Sequence, residues 1–331
     1  MVVPAVSVFY STTANGSDKR PRHARLRIRR AILVALLVAS IPSIVFSQRP
    51  RSKPAPTTGS LSITTEPNAI VWIDQIRRGT TDARGKLALT NIGSGRHTVR
   101  VRAGGFKEAT VPLLPARRGN LLVRLQRTTD KAELAFQEAE TERELAKSDE
   151  AREKSVAGYR RALQLRPVFP AAHLGLARVL LDLNEYRQAL GEIEAARANR
   201  SIYPEASAVE GRIHREAAFD DEAMKSFRRA IREGRGIQPE AHVGLARVLE
   251  EKGQEEEAIA EYRKAIEQLA DSEPVIYQLL GSAYEKLQKY KEAVAAYEKY
   301  LSLAPNGSLA PALRSIIDQL KRDAAGREII P

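Results

Sequence analysis

PAAHLGLARVL, residues 170–180, returns almost letter for letter as PEAHVGLARVL at residues 239–249. Between and after the two copies the same frame continues. Pro170, Pro204, Pro239 and Pro274 stand 34, 35 and 35 residues apart. Seven residues after each proline comes a small residue (Ala177, Gly211, Ala246, Gly281), and 19 after each comes alanine (Ala189, Ala223, Ala258, Ala293). Twenty-three after each comes a bulky one: Ile193, Phe227, Tyr262, Tyr297. A period of this length is the mark of a stacked array, in which each unit buries its apolar face only against its neighbours. Small residues let two antiparallel helices approach, the bulky residue fills the gap beside them, and proline is tolerated in the first turn of a helix.

On these residues the segment 129–323 resembles tetratricopeptide repeats. Four units lie in register at 170–203, 204–238, 239–273 and 274–307. A unit at about 136–169 keeps its second half (Tyr159, Ala162, Pro167) but has Arg143 where a small residue belongs. LAPALRSIIDQLKRD, 309–323, reads as a capping helix, and 324–331 as a tail. Where the family usually has an aromatic residue three after the proline, this chain has His173, Ser207, His242 and Tyr277. The resemblance implies an all-α superhelix whose concave groove, lined by the first helix of each unit, holds a protein or peptide partner. It places Leu174, Arg178, Asp182, Arg212, Glu216, Val243, Arg247, Glu251 and Gln278 on that groove. Arg178, Arg212 and Arg247 form a ladder at the repeat spacing, suited to bidentate carboxylate contacts. The competing reading pairs each arginine with the acid four residues on (Asp182, Glu216, Glu251), along one helix face.

Upstream, residues 60–127 change texture to short alternating segments with turn punctuation, the pattern of a small all-β sandwich. Strands are expected at 60–65, 69–74, 86–90, 97–103, 108–114 and 120–126, with turns at EPN, RRGTTDARG, GSG, AGG and ARRG. In HTVRVRA, His97, Val99 and Val101 alternate with Thr98, Arg100 and Arg102, giving one apolar and one basic face. Trp72, the only tryptophan, reads as core or half-buried. The run ITTEPNAIVWID, then GTT, then GSGRHTVRVRAGGF resembles a PEGA domain, a bacterial surface β-module. The proline usual after G-x-T is replaced by Thr81-Asp82. TDARGKLALTNIGSGRHTVRV is similar also to carboxypeptidase-regulatory-like sandwiches. Either resemblance implies a non-catalytic extracytoplasmic module. Its basic side chains Arg77, Arg78, Arg96, Arg100, Arg102, Arg117 and Arg118 are candidates to face an anionic envelope polymer or lipid. GTTDARGK, 79–86, is one residue too long for a phosphate-binding loop, lacks its hydroxyl residue, and sits in a turn.

Residues 48–59 are a proline-rich linker. Before them, 1–47 hold a basic leader and the apolar run AILVALLVASIPSIVF, 31–46, of 16 residues. At ~1.5 Å per residue the run reaches ~24 Å, between a cleaved signal and a thin membrane-spanning anchor. Both outcomes export the rest of the chain, leaving it anchored at the inner membrane or released outside the cytoplasm.

The formal charge of +12 over 331 residues is uneven. Residues 1–50 carry 8 basic and 1 acidic residue, 51–128 carry 14 and 4, and 129–331 carry 31 and 36. A nucleic-acid footprint is not implied, since the partner-binding array is the acidic part. Zero cysteines exclude disulfides, thiolate metal sites and cysteine nucleophiles. His173 and His242 stand two units apart, too far to share a metal, and His23, His97 and His214 lack companions at ligand spacing. No catalytic motif or cofactor fingerprint is present. The sequence thus predicts a multidomain, non-enzymatic, exported scaffold with no cofactor. The alternative expectation is an accessory or regulatory subunit of an envelope-biogenesis or export complex.

Overall fold

The structure, a computed structural model, describes residues 59–92, 96–115, 119–269 and 271–327. The leader, the apolar run at 31–46 and nearly all of the linker lie outside the described residues, as do Arg117 and Arg118. No helix among the described residues is long and apolar enough to cross a membrane.

The β-region has seven strands: β1 (Gly59–Thr64), β2 (Ile70–Ile73), β3 (Ile76–Thr80), β4 (Lys86–Ile92), β5 (His97–Arg102), β6 (Ala109–Leu113) and β7 (Gly119–Leu122). They form a three-stranded sheet, ordered β4-β1-β7, and a four-stranded sheet, ordered β3-β2-β5-β6. All pairs are antiparallel except β1 with β7. Period-2 alternation sends Ile63, Val71, Val99 and Val101 into a shared core, where each is fully buried. The same alternation turns Trp72, Arg100 and Arg102 to the other face of the larger sheet.

Two strands depart from the sequence expectation: β7 ends at Leu122, short of the expected 126, and β3 is not among the expected strands. β3, IRRGT, lies partly inside what reads as a turn, because a polar segment with glycine carries no strand signal. The cause is a two-residue hairpin loop, Asp74-Gln75, with φ of 51° and 67°. Such a loop favours Asn-Gly or Asp-Gly, and Asp-Gln does not advertise it. Asp74 holds the loop by accepting from Thr98 N at 2.9 Å and lying 2.6 Å from His97 Nδ1. In GTTDARGK, Asp82 Oδ1 accepts from the backbone of Arg84 and Lys86, at 2.9 and 2.8 Å. Its carboxyl is held below the usual range chiefly by the Lys86 N–H. The segment is a self-satisfied turn, and its N–H groups are not free to cradle a phosphate.

Eleven described helices follow: α1 (Lys131–Leu145), α2 (Asp149–Leu165), α3 (Pro170–Asp182), α4 (Tyr186–Ala198), α5 (Pro204–Glu216), α6 (Asp220–Glu233), α7 (Pro239–Glu251), α8 (Glu255–Leu269), α9 (Val275–Lys286), α10 (Tyr290–Leu303) and α11 (Ala310–Arg327). The periodic prolines open α3, α5 and α7, and Pro274 caps α9. Fourteen residues after each proline a residue enters left-handed backbone to end the first helix: Asn184, Ala218, Gly253 and Gln288, with φ between 57° and 71°.

The small–large register closes each unit on itself, where a Cβ at Gly211 would lie 2.6 Å from the Phe227 ring and one at Gly281 2.4 Å from that of Tyr297. Glycines five residues after the proline make a second set of close approaches, to the preceding unit. A Cβ at Gly175 would lie 2.3 Å from the Tyr159 ring, and one at Gly244 would lie 2.3 Å from that of Phe227. The bulky residue is therefore wedged between the first helix of its own unit and that of the next, as Phe227 is between Gly211 and Gly244. Leu313, Ile317 and Leu320 bury one stripe of α11 against the end of the array.

The first unit is a complete helix pair, despite Arg143. Its small contact is shifted to Ala139 and Gly158, where an added Cβ would meet Ala139 Cβ at 2.9 Å. Arg143 instead reaches Tyr159 Oη at 3.2 Å and Glu140 at 3.5 Å.

Candidate functional site

The β-region and the helices belong to one compact unit, Pro54–Pro331. Arg77 on β3 pairs with Glu144 of α1 at 3.0 Å, and Arg102 on β5 pairs with Glu140 of α1 at 3.1 Å. Far along the array, Arg78 donates to the carbonyls of Gln268 and Leu269, at 3.0 and 3.3 Å, where α8 ends. The larger sheet is thus tied to the helices at two places with two repeat units, α3–α4 and α5–α6, between them. Of the basic residues expected to face an envelope, Arg77, Arg78 and Arg102 are engaged with the array. Arg100 lies with Arg102 against Glu108 and over the Trp72 ring. Arg96 is exposed.

Between sheet and array lies a cleft of about 820 Å³. One wall is Trp72, Arg77, Arg100 and Arg102 on the outer face of β2, β3 and β5. The other is built from α3, α5, α7 and α9, through residues including Leu174, Val243 and Leu279. Trp72 is half-buried, with the Arg100 guanidinium 4.2 Å and that of Arg102 5.3 Å from its ring centroid, within cation–π reach.

Of the residues placed on the groove by sequence, Leu174, Arg178, Arg212, Glu216, Val243 and Arg247 line this cleft. Gln278 is half-buried beside the lining residue Leu279, while Asp182 and Glu251 are exposed and do not line it. The arginine ladder does not pair along its own helices. Arg212 reaches across neighbouring units to Asp182 at 3.9 Å and to Glu240 at 3.4 Å. Glu216 is bonded by Arg215, which holds its carboxyl below the usual range. Among the described residues Arg178 and Arg247 form no ion pair.

The junction with α1 is the most strongly coupled part of the site. Burial alone would raise the Glu140 carboxyl, but Arg143, Arg102 and the Tyr159 hydroxyl overcome it and hold it at about 2. Tyr159 donates to Glu140, and its phenol is pushed far up by burial and by that carboxylate. Sequence reasoning missed Glu140, since its partner Arg102 lies 38 residues away in another kind of structure.

A second pairing was present in the letters. Tyr262 donates to Glu250 at 2.5 Å and Tyr297 to Glu285 at 2.9 Å, the same 12-residue offset. Units with Ile193 or Phe227 at the bulky position have Leu181 or Arg215 in place of that glutamate. His173 and His242 likewise serve their own units, 2.6 and 2.5 Å from Glu192 and Glu261. Among the described residues no His, Cys, Asp and Glu cluster could hold a metal ion.

Comparison with known proteins bears on the helical part. Two tetratricopeptide-repeat family models match, one over 174–236 and 209–274 and the other over 274–306. No curated protein sequence matches the chain. Among solved structures, PilF of Pseudomonas aeruginosa aligns with a TM-score of 0.51 at 17% identity, covering 59% of this chain and 86% of that one. A chain of the APC/C hetero-tetramer Cut9–Hcn1 also gives 0.51 at 17% identity, over 60% of this chain but only 38% of its own. A thermophilic repeat protein of Thermus thermophilus gives 0.47 at 20% identity, over 57% of this chain and 98% of its own. At 17% identity and a TM-score of 0.51, the likeness to the first two speaks for fold alone. Family models, helix register and fold agree: residues 174–306 of this chain are tetratricopeptide repeats.

Proposed function

We propose that this chain is a non-catalytic, exported scaffold that grips a segment of a partner protein in the concave cleft of its repeat array. The observation that carries the reading is the state of the ladder. Arg178 and Arg247 line the cleft without an ion-pair partner among the described residues, beside the apolar side chains Leu174, Val243 and Leu279. Guanidinium groups held only at longer range by Glu140 and Glu216, in a partly apolar cleft, suit carboxylate-bearing polypeptide. Export rests on the basic leader and the apolar run of the sequence, and a PEGA-like β-module would suit that location.

A role as an accessory subunit of an envelope complex uses the same cleft. Attachment to an anionic polymer through the β-region is less favoured, because Arg77, Arg78 and Arg102 are engaged with the helices. The test is a peptide-array pulldown comparing wild type with Arg178→Ala/Arg212→Ala/Arg247→Ala. Loss of bound peptides supports the reading, and an unchanged profile defeats it. Reporter fusions placed after residue 58 test export independently: activity confined to the cytoplasm refutes it.

A further inference from the structure

A peptide-binding groove in a helical array needs only the array, yet here the groove faces a β-sheet rather than open solvent. Two buried polar atoms in that space have no hydrogen-bond partner: Arg100 Nε on the sheet and Glu205 Oε2 at the start of α5. One is a donor and the other an acceptor. Buried polar groups are nearly always satisfied, so such a pair marks a place where a ligand can complete it. A peptide unit, which carries one acceptor carbonyl and one donor N–H, matches the pair.

The lining carries nine arginines and eight glutamates, so a carboxylate is met by particular guanidinium groups rather than by an overall positive field. Tyr203, buried at the same junction, lies within electrostatic range of Glu205 and of three guanidinium groups, Arg178, Arg200 and Arg100, the last from the sheet. Arg212 is paired with Asp182 and Glu240, and Arg102 with Glu108 and Glu140. Arg178 and Arg247 form no ion pair among the described residues and feel Glu140 and Glu216 only at longer range, so they are the guanidinium groups open to a carboxylate.

The cleft is also long. Its lining runs over the first helices of four successive units, α3, α5, α7 and α9, and its volume of about 820 Å³ lies within the ~300–1,000 Å³ of ligand clefts. A small anion would use one end of it, whereas an extended chain uses its length.

We propose that the β-sheet is the second wall of the binding site: the cleft takes an extended peptide segment bearing a carboxylate, clasped between Trp72 and Arg100 of the sheet and Arg178 and Arg247 of the array. This rests on the array-groove reading above and adds that the β-region is half of the receptor. The Trp72 ring, stacked with the Arg100 guanidinium, gives the wall an apolar surface at its edge, and Arg100 offers the donor that its own neighbours leave unused. Because the sheet is tied at α1 and again at the end of α8, the wall is held across the groove rather than beside it.

The experiment uses the full chain in mild detergent and 12-residue peptides selected on it from a random phage library. Each peptide is resynthesised with fluorescein, and again with acids changed to amides and an amidated C-terminus. Binding is read by anisotropy, and circular dichroism checks the fold of each variant. We expect neutralisation of the peptide and Arg178→Ala/Arg247→Ala each to weaken binding about tenfold or more, as for other close charge pairs. Arg100→Gln and Trp72→Leu should each weaken it about fivefold or more, as aromatic and arginine anchors do. Arg84→Ala, in an exposed turn away from the cleft, should leave it unchanged. If the array variant weakens binding while Arg100→Gln and Trp72→Leu stay within about twofold, the second wall is refuted and the array reading stands. If no peptide is selected, or neither neutralisation nor the array variant matters, both readings fall.

Discussion

Replacing Glu140 by glutamine keeps the shape of the side chain and removes the charge at the junction of sheet and helices. In the structure that carboxylate is paired with Arg102 at 3.1 Å and Arg143 at 3.5 Å and accepts from Tyr159. Lowering its pKa from an ordinary 4.5 to about 2 corresponds to about 3 kcal/mol, at ~1.4 kcal/mol for each tenfold in proton affinity. Because the folded-state value is depressed, this contribution is complete above pH ~4.5 and disappears as pH falls towards ~2. Glu140→Gln should therefore cost about 2–3 kcal/mol at pH 7, and less than about half of that by pH ~3. Arg102 retains Glu108 as a partner in the variant, whereas Arg143 keeps only the Tyr159 hydroxyl. The assay is urea denaturation of wild type and variant across this pH range, followed by Trp72 emission, which reports from the same junction. A difference below about 0.5 kcal/mol at pH 7, or one that does not shrink in acid, would refute the pairing.

Three further outcomes follow from the helix array. Gly175→Ala should destabilise by ~1–3 kcal/mol in thermal or chemical unfolding, because the new Cβ meets the buried Tyr159 ring; the ordinary gain of ~1 kcal/mol for Gly→Ala in a helix would show the contact to be absent. Ala218→Gly should stabilise by about 0.5–1 kcal/mol, since alanine there is held at φ 60°, and a loss of stability would contradict that backbone. His173, held charged by Glu192, has a raised pKa, so its contribution is present below the ordinary value of ~6.5 and lost as pH rises through the raised one. Titration by NMR should show that upward displacement and His173→Gln should flatten the corresponding pH dependence; a titration at or below ~6.5 speaks against the pair.

The parts of the fold that were legible in the sequence are those carried by residues repeating at fixed offsets. The prolines, the small residues and the bulky residues each report a local contact that recurs in every unit, so their spacing alone places α3 to α10. The first unit was only half legible, because Ala139 and Gly158 make the contact that a repeat-frame residue makes elsewhere. β3 was hidden by its composition and by a hairpin loop, Asp74-Gln75, whose left-handed backbone its letters do not favour.

The site divides in the same way. The alternation in HTVRVR announced a basic face, but nothing local announces what that face meets. The bonds that decide it, Arg78 to Gln268 and Leu269 and Arg102 to Glu140, join residues distant in sequence and unlike in texture. Pairing of the ladder also escaped local reasoning: the four-residue rule for a single helix gives way where the adjacent first helices bring Asp182 and Glu240 within reach of Arg212.

The chain's single tryptophan stands on the wall of the cleft, and it allows the most direct measurement. Titrating a selected carboxylate-bearing peptide into the full chain should produce a saturable change in Trp72 emission, with the same midpoint as the anisotropy of the labelled peptide. Arg178→Ala/Arg247→Ala should shift both midpoints together, by about tenfold or more. Tight binding by anisotropy that leaves Trp72 emission untouched would place the peptide elsewhere and contradict a site shared between sheet and array.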